Sequence, residues 1–351
     1  MRAPSCPPHS TADESLENEA EIARLRYQLA HDGAVPDPEF SIINAHEHVF
    51  DRTQGARYLK AAKKAGIQQT IMVASSSLTL YGSGYEQHEG MAENFLEILA
   101  FSKAHPDEII PFTTLDPAGT PEKLRQLKAH VKLGARGLKL YSGHSTFHTV
   151  SLDSREMLPV YQYAEETGLP VLWHVNVRKF GDQFRRVMDA YPRLNVVVPH
   201  YGVSFAKATE KDFENLRDLL SRYPNLMFDT SLGTRQILVG GLHQISKKRD
   251  QWRVLVESHP DRFVMGTDMV VTGNREKTTA WMFEVIMACR DQLEQEVMMT
   301  ALAAAHSKYS LPGFEPRGRF RGLHLEKSTL KKVYEENPRR WLGLHQPPAQ
   351  P

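Results

Sequence analysis

The sequence contains little cysteine, no excess of charge of either sign and no long apolar run. Its two cysteines, Cys6 and Cys289, cannot form a disulfide framework, which suits a reducing cytoplasm. Lysine and arginine number 43 against 42 aspartates and glutamates, so the composition gives no electrostatic basis for binding nucleic acid or an anionic membrane. No apolar run approaches the roughly 20 residues of a membrane helix. We therefore expect a cytoplasmic protein with a small-molecule substrate. The composition does not decide whether it forms a homo-oligomer.

Histidine, in contrast, is abundant, with 16 copies in 351 residues. The stretch from Ser41 to Phe50, SIINAHEHVF, is an apolar run that ends in His46 and His48. Side chains alternate along a strand with a period of two, so both imidazoles point to one side and can reach one cation. An H-x-H pair alone is a weak signal. It gains weight only if later strands end in further ligands.

After this stretch one unit repeats along the chain: an apolar strand, a polar loop, an amphipathic helix and a helix stop. The pattern predicts eight strands, namely Ile42–His46, Gln69–Ala74, Ile109–Leu115, Gly137–Tyr141, Val171–His174, Val196–His200, Leu226–Thr230 and Phe263–Asp268. Strands that alternate with helices pair in parallel, and eight of them favour a closed (β/α)8 TIM barrel in the α/β class. An open doubly wound sheet would need a glycine-rich phosphate loop after the first strand, and HEHVFDRTQG is not one.

The barrel is predicted to occupy residues 40–345 as a single domain that ends in a helical extension. Residues 1–39 are predicted to form a tail and an amphipathic helix, and residues 346–351 a disordered tail. Two long loops, Ser75–Gly90 and Ser142–Asp153, follow the second and fourth strands. Loops at this end of a barrel determine specificity.

Polar side chains end several of the predicted strands, where the active site of a barrel forms. His174, His200 and Asp268 close the fifth, sixth and eighth strands, and Lys139 lies on the inner face of the fourth. Taken singly, such a histidine is usually hydrogen-bonded, such an aspartate caps a turn and such a lysine is solvated. Together with the H-x-H pair they form a set of nitrogen and carboxylate ligands. Such a set fits a catalytic zinc or a similar divalent ion.

These segments resemble the amidohydrolase superfamily, and in particular its amidohydrolase-related branch, which includes the aminocarboxymuconate-semialdehyde decarboxylase type. The resemblance covers roughly His46 to Leu344 and is carried by INAHEH, GARGLKLY, VLWHV, VVPHYG, MFDTS, MGTD and YEENPRRWLGL. It implies a metal-dependent (β/α)8 barrel. It is less specific for the substrate.

The resemblance also implies roles for single residues. His46, His48 and His174 would bind the metal, and Asp268 would lie at the metal and accept the proton of an attacking water. His200 would bind a second ion or act as an acid/base group beside a single one. Glu47 alternates away from the histidines, so we expect a structural or supporting role for it.

Lys139 matches the fourth-strand position that is carboxylated in binuclear members and bridges both metals. We therefore expect one or two ions per chain, with zinc as the first candidate. Alternatively, an unmodified Lys139 would hold a substrate carboxylate.

The function that follows is metal-dependent hydrolysis of an amide, ester or lactone. The same ligands would serve non-oxidative decarboxylation of an unsaturated or aromatic acid, which is the second hypothesis. A non-catalytic ligand-binding barrel is the third. Lys139 favours hydrolysis, because a second ion serves water attack better than decarboxylation. The cost of burying several polar groups without use argues against a non-catalytic barrel.

Three arginines follow strands at the catalytic end, namely Arg178, Arg235 and Arg275, and the tyrosines Tyr141 and Tyr201 close strands nearby. A guanidinium matches a carboxylate with two parallel hydrogen bonds. Each arginine alone is better explained as solvated or paired with an acid. Of the three, we expect Arg178 to face the pocket beside Tyr141 and Tyr201, so the predicted substrate bears a carboxylate.

Overall fold

The computed structural model describes residues 40–118, 122–203, 207–233, 235–300, 302 and 319–344. The predicted N-terminal tail and helix lie outside the described residues, as does the C-terminal tail.

Eight parallel strands form a nearly closed barrel, and each hydrogen-bonds to its neighbour in chain order. The strands are β1 (Ile42–His48), β2 (Ile67–Val73), β3 (Ile109–Thr114), β4 (Gly137–Gly143), β5 (Val171–Val175), β6 (Val196–Val198), β7 (Leu226–Asp229) and β8 (Phe263–Val264). The predicted TIM barrel is confirmed. The sixth and eighth strands are shorter than predicted, because the chain leaves the sheet at Pro199 and at Met265.

The seam between β8 and β1 is closed by the segment that follows β8. Ala45 N–H donates to the carbonyl of Met265 at 2.8 Å, and Asp268 N–H donates to the carbonyl of His46 at 2.8 Å. Val271 N–H in turn donates to the carbonyl of His48 at 2.7 Å. This pairing places Asp268 directly beside the H-x-H pair.

Helices surround the barrel. They are α1 (Arg52–Lys64), α2 (Ser77–Tyr81), α3 (Met91–Ala104), α4 (Lys123–Leu133), α5 (Leu158–Thr167), α6 (Val177–Ala190), α7 (Glu210–Arg222), α8 (Arg235–Lys247), α9 (Arg249–Ser258), α10 (Thr279–Glu294), α11 (Lys327–Lys331) and α12 (Asn337–Trp341), with a π-helical turn at Lys332–Glu336. The helix predicted at Glu210–Arg222 has these bounds in the structure. The one predicted at Asp250–Ser258 begins one residue earlier.

The barrel interior is filled by apolar side chains that alternate along the strands. Ile43, Ala45, Phe112 and Leu172 are among them, and Trp341 of α12 packs against the Phe112 ring at a centroid distance of 5.4 Å. The C-terminal extension therefore closes the amino-terminal end of the barrel. A two-stranded antiparallel ribbon, β9 (Val297–Met299) with β10 (Arg319–Arg321), was not predicted from the sequence.

Within the described part of the chain, no helix is long and apolar enough to cross a membrane. The cytoplasmic location inferred from the cysteines stays a prediction.

Candidate metal centre

Four side chains meet at the carboxyl end of the barrel, which we call the mouth. His48 Nε2 lies 3.1 Å from His46 Nε2 and 3.1 Å from Asp268 Oδ1. His46 Nε2 lies 3.6 Å from Asp268 Oδ1, and His200 Nε2 lies 3.3 Å from Asp268 Oδ2. We call His46, His48, His200 and Asp268 the acceptor cluster, because each of them turns a hydrogen-bond acceptor toward the others.

Two members of this cluster have a backbone conformation that L-residues rarely adopt. His200 has φ 57° and Asp268 has φ 48°, both in the left-handed region. Such residues persist where the surroundings hold them, and they concentrate at functional sites. Here the carbonyl of His46 holds the Asp268 amide, and a carboxylate oxygen of Asp229 holds the His200 amide at 2.8 Å.

The hydrogen bonds of Asp229 determine the tautomer of His46. Asp229 Oδ1 accepts from the backbone amides of His200 and Ser231 and from the Ser231 hydroxyl. The other oxygen, Oδ2, lies 2.8 Å from His46 Nδ1, so this nitrogen carries the proton and donates it. His46 Nε2 is then a lone pair that faces the cluster.

Hydrogen bonds also determine the tautomer of His48. The Ser75 hydroxyl donates to the carbonyl of Val73 at 3.0 Å, and the Tyr141 hydroxyl donates to the carbonyl of Ala74 at 3.2 Å. Both hydroxyls can therefore only accept from His48 Nδ1, which lies 2.6 Å from Ser75 Oγ and 3.3 Å from Tyr141 Oη. His48 Nε2 is also a lone pair directed into the cluster.

His200 completes the pattern. Because the Ser231 hydroxyl donates to Asp229 Oδ1 at 2.6 Å, it accepts from His200 Nδ1 at 2.8 Å. The carbonyl of Ser231, 3.1 Å from the same nitrogen, is a second acceptor. A neutral His200 therefore also turns a lone pair of Nε2 toward Asp268.

Three imidazole lone pairs and a carboxylate thus face one another with no proton of their own to share. Burial lowers the pKa of His46 and of His48, which keeps both rings neutral at pH 7. Burial opposes ionisation of the Asp268 carboxyl, so its carboxylate form needs a positive charge nearby, which Lys139 or a bound cation would supply. Buried acceptors that face one another are costly, whereas a divalent cation satisfies them all. His46, His48 and Asp268 offer ligand atoms within 4.8 Å of one another.

Lys139 supplies a positive charge at this point. Its side chain is fully buried, and Nζ lies 2.9 Å from His46 Nε2. Burial lowers the pKa of Lys139 to about 8, although Asp268 and Asp229 oppose this shift. A fraction of Lys139 is therefore a neutral amine near neutral pH, the form that can bind a metal or react with carbon dioxide.

Two further predicted residues lie next to the cluster. The His174 ring packs against the His200 ring, with 4.9 Å between their centroids. Tyr141 is buried behind His48, and its hydroxyl is engaged with Ala74 and His48.

The structure does not bring Tyr201 and Arg178 to the cluster. Tyr201 packs against Trp252 at 4.8 Å between centroids, and its hydroxyl accepts from Gln292 of α10. Arg178 forms a bidentate pair with Asp212, with distances of 2.7 and 2.8 Å. Arg275 is exposed on its loop, and the side chain of Arg235 lies outside the described residues.

Sequence reasoning assigned no role to Asp229, Ser231 or Ser75, although each orients a histidine of the cluster. Asp229 carried the same signal as the other candidates, because it ends the apolar run of β7. Ser75 and Ser231 carry no such signal, since serine is common in any loop.

Solved structures of similar fold include enzymes of several kinds. They include a probable 2-pyrone-4,6-dicarboxylic acid hydrolase from Acinetobacter baumannii with citric acid bound (14% identity, TM-score 0.56, 87% of this chain and 100% of that chain). A 4-oxalomesaconate hydratase from Rhodopseudomonas palustris has 15% identity and a TM-score of 0.52, over 87% and 96% of the two chains. A 2,6-dihydroxybenzoate decarboxylase from Rhizobium has 13% identity and a TM-score of 0.50, over 87% and 99%. At these identities the likeness establishes the fold alone.

No curated protein matches the chain significantly by sequence. The family model described as Amidohydrolase matches residues 43–344, which include all of the barrel strands except the first residue of β1, and every member of the acceptor cluster. The resemblance seen in the sequence motifs is thereby confirmed. The chain belongs to the amidohydrolase family.

Proposed function

We propose that the protein is a metal-dependent hydrolase that cleaves the amide, ester or lactone bond of a small substrate. The observation that supports this most directly is the acceptor cluster, in which three imidazole lone pairs and one carboxylate converge. Nitrogen and carboxylate ligands of this number suit zinc, with a coordination position left for water or substrate.

In this proposal His46, His48 and Asp268 hold the ion, and His200 and His174 line the same side of the mouth. A divalent ion bound there would supply Lewis acidity, which polarises a carbonyl and makes water more acidic. Asp229, Ser75 and Ser231 keep the three imidazoles in the tautomer that offers Nε2 inward. Such supporting hydrogen bonds are typical of metal-binding histidines.

Asp268 is the proposed proton acceptor. Its ionised carboxylate takes a proton from the attacking water while the oxygen of that water bonds to the carbonyl carbon. The proton then passes to the leaving group as its bond to that carbon breaks. His200 Nε2, 3.3 Å from Asp268 Oδ2, is placed to accept and return the same proton.

The number of ions depends on Lys139. As an amine, its nitrogen at 2.9 Å from His46 Nε2 competes with a cation for that lone pair. Carboxylation would replace this donor with two acceptor oxygens and so would support a second ion about 3.5 to 4 Å from the first. Metal analysis of wild type and Lys139→Ala, with and without bicarbonate, distinguishes one ion from two.

We propose small cyclic esters and amides as the first substrates to assay. The carboxylate on the substrate stays a prediction, because the guanidinium of Arg178 is already paired with Asp212. Compounds such as 2-pyrone-4,6-dicarboxylate therefore belong in the panel together with neutral lactones of similar size.

The test combines metal content with a substrate panel. Zinc-loaded protein is assayed against lactones, esters and amides, and against 2,6-dihydroxybenzoate and 4-oxalomesaconate, with Asp268→Asn as the matched inactive variant. We expect hydrolysis that requires metal and Asp268. Release of carbon dioxide or addition of water to a double bond, without any hydrolysis, would contradict the hydrolase and assign the cluster to a lyase.

A further inference from the structure

His144, in the loop after β4, lies over the mouth beside the candidate ligands. Its ring meets that of His174 edge-on at a centroid distance of 4.4 Å, and it packs against Phe147 at 5.3 Å. Phe147 in turn packs on Tyr141 at 4.9 Å. His144, Phe147 and Tyr141 therefore form a continuous wall beside His174 at the candidate metal centre.

The backbone on either side of His144 is tightly held. Gly143 packs so closely on Val175 of β5 that an added Cβ would approach the Val175 Cα to 2.6 Å. The Asn176 amide donates to the carbonyl of Gly143 at 3.1 Å, and the Phe147 amide donates to the carbonyl of His144 at 2.9 Å. The position of the imidazole is thus built into the ends of β4 and β5.

One hydrogen bond determines the tautomer of this imidazole. The backbone amide of Thr146 donates to His144 Nδ1 at 3.0 Å. An amide cannot accept, so Nδ1 is a lone pair and the proton of a neutral ring must lie on Nε2. Burial, with smaller contributions from His200 and Lys139, lowers the pKa of His144 to about 4, which is consistent with a neutral ring.

His144 therefore has the opposite tautomer to the three histidines of the acceptor cluster. Those rings carry the proton on Nδ1 and turn a lone pair of Nε2 inward, which suits a cation. His144 carries its proton on Nε2, which suits an oxygen with excess electron density. No protein acceptor for this N–H is found among the residues that the structure describes.

We propose that His144 Nε2–H is a hydrogen-bond donor to the carbonyl oxygen of the substrate and to the oxyanion that forms from it. This inference rests on the proposed hydrolase and adds a catalytic residue to it. When water attacks the carbonyl carbon, the π electrons of the C=O bond move to that oxygen, and they return when the leaving group departs. A donor fixed in advance stabilises the charged state more than the neutral one.

A role in holding the loop is the competing explanation, and the neighbouring His148 provides the comparison. His148 lies in the same loop, donates from Nδ1 to the carbonyl of Ser142 and stacks on Phe180 at 3.9 Å between centroids. His148 therefore helps to hold the loop but is not part of the wall beside His174. Its substitution by glutamine therefore reports what a looser loop does to activity and binding.

The experiment compares His144→Leu, His144→Gln and His148→Gln with wild type in zinc-loaded protein. Glutamine places an amide N–H near the position of Nε2–H, whereas leucine keeps bulk without a donor. Two readouts are used: kcat and KM on the best ester or lactone of the panel, and calorimetric affinity for acetohydroxamate, a metal-binding probe that bears an oxyanion. Long-range proton–nitrogen NMR of the apoprotein, with His144 assigned by the glutamine variant, checks the tautomer.

We expect His144→Leu to lower kcat about 100-fold with little change in KM, and to weaken acetohydroxamate binding at unchanged zinc content. His144→Gln should recover much of both losses, and His148→Gln should affect both far less. Unchanged kcat and probe affinity in His144→Leu, or equal losses in His148→Gln, would overturn the inference. So would a proton on Nδ1 of His144. Wild-type protein that binds zinc but neither hydrolyses the panel nor binds the probe would contradict the proposed hydrolase instead.

Discussion

The two ends of the barrel are built on opposite principles. At the amino-terminal end, which we call the floor, side-chain amide donors meet backbone carbonyls. Asn337 Nδ2 donates to the carbonyls of Pro260 and Phe263 at 2.8 Å each, and Asn195 Nδ2 donates to the carbonyl of Trp341 at 2.7 Å. Burial of hydrogen-bonded polar groups costs little free energy, so the floor contributes to the stability of the fold.

At the mouth, acceptors face acceptors. Within the acceptor cluster the short contacts join nitrogen lone pairs to one another or to a carboxylate, and two of its residues have left-handed backbone. Each of these features costs free energy in the apoprotein. The fold is therefore stabilised from the floor, while the mouth keeps an unsatisfied arrangement that suits a cation.

The largest effect is expected from Asp268→Asn. Loss of the carboxylate removes the proposed proton acceptor, so kcat/KM should fall about 10²- to 10⁴-fold. The apoprotein should lose no stability, because the new amide can donate to the lone pairs of His46, His48 or His200. Kinetics on zinc-loaded protein and urea unfolding of the apoprotein measure the two parts. A variant that is both active and less stable would mean that the mouth is an ordinary paired core.

A smaller effect is expected from Asp229→Asn. One carboxylate oxygen accepts from His46 Nδ1–H and the other from three donors, so an amide NH2 must face a donor in either orientation. His46 and His200 should lose their fixed tautomers, and zinc affinity should fall about 10- to 100-fold. Competition with a fluorescent zinc chelator measures this. Asp218→Asn, on the exposed face of α7, is the control and should leave the affinity unchanged.

At the floor the expected change is in stability alone. Asn337→Leu keeps a similar volume but leaves the carbonyls of Pro260 and Phe263 without their donor. We expect the free energy of unfolding to fall by about 1 to 3 kcal/mol. The kcat of the folded, zinc-loaded enzyme should not change. A loss of kcat at full zinc occupancy would show that the two ends are coupled.

The barrel and much of the cluster could be predicted because the two patterns that indicate them are local in the sequence. Apolar strand runs and helix stops identified eight strands, and the polar residues that end these runs included His46, His48, His200 and Asp268. Asp268 lies in the structure beside His48, 220 positions earlier, because the chain after β8 pairs with β1. Parallel pairing around a closed barrel predicts that neighbourhood, since the first and last strands must meet.

Other features depended on contacts that the sequence does not encode locally. Arg178 and Tyr201 follow strands at the correct end, but Asp212 pairs with the first and the helical layer buries the second. The tautomers of the cluster depend on Ser75 and Ser231, whose hydroxyls matter only through the carbonyls and carboxylates they reach. Residue type and spacing indicate where on the barrel a side chain is attached. The groups that it contacts determine whether it can bind a metal or a substrate.

The smallest effect concerns acid sensitivity, which we expect to involve the helical layer as well as the mouth. His130 of α4 stacks on Phe95 at a centroid distance of 4.5 Å, and its Nδ1 contacts the Thr113 hydroxyl. Burial lowers the pKa of His130 below its usual value near 6.5. As pH falls through about 6.5, the unfolded chain takes up this proton before the folded protein does, so stability falls. Above that pH the group makes no such difference.

His130→Gln should therefore make the free energy of unfolding depend less steeply on pH between about 7 and 5. Urea unfolding of the apoprotein at several pH values measures that slope without a contribution from metal release. Lys132→Gln, an exposed change on the same helix, controls for the loss of a positive charge. If the slope of His130→Gln equals that of wild type, the acid sensitivity of the apoprotein comes from the mouth and other groups, and the helical layer resembles the floor in being indifferent to pH.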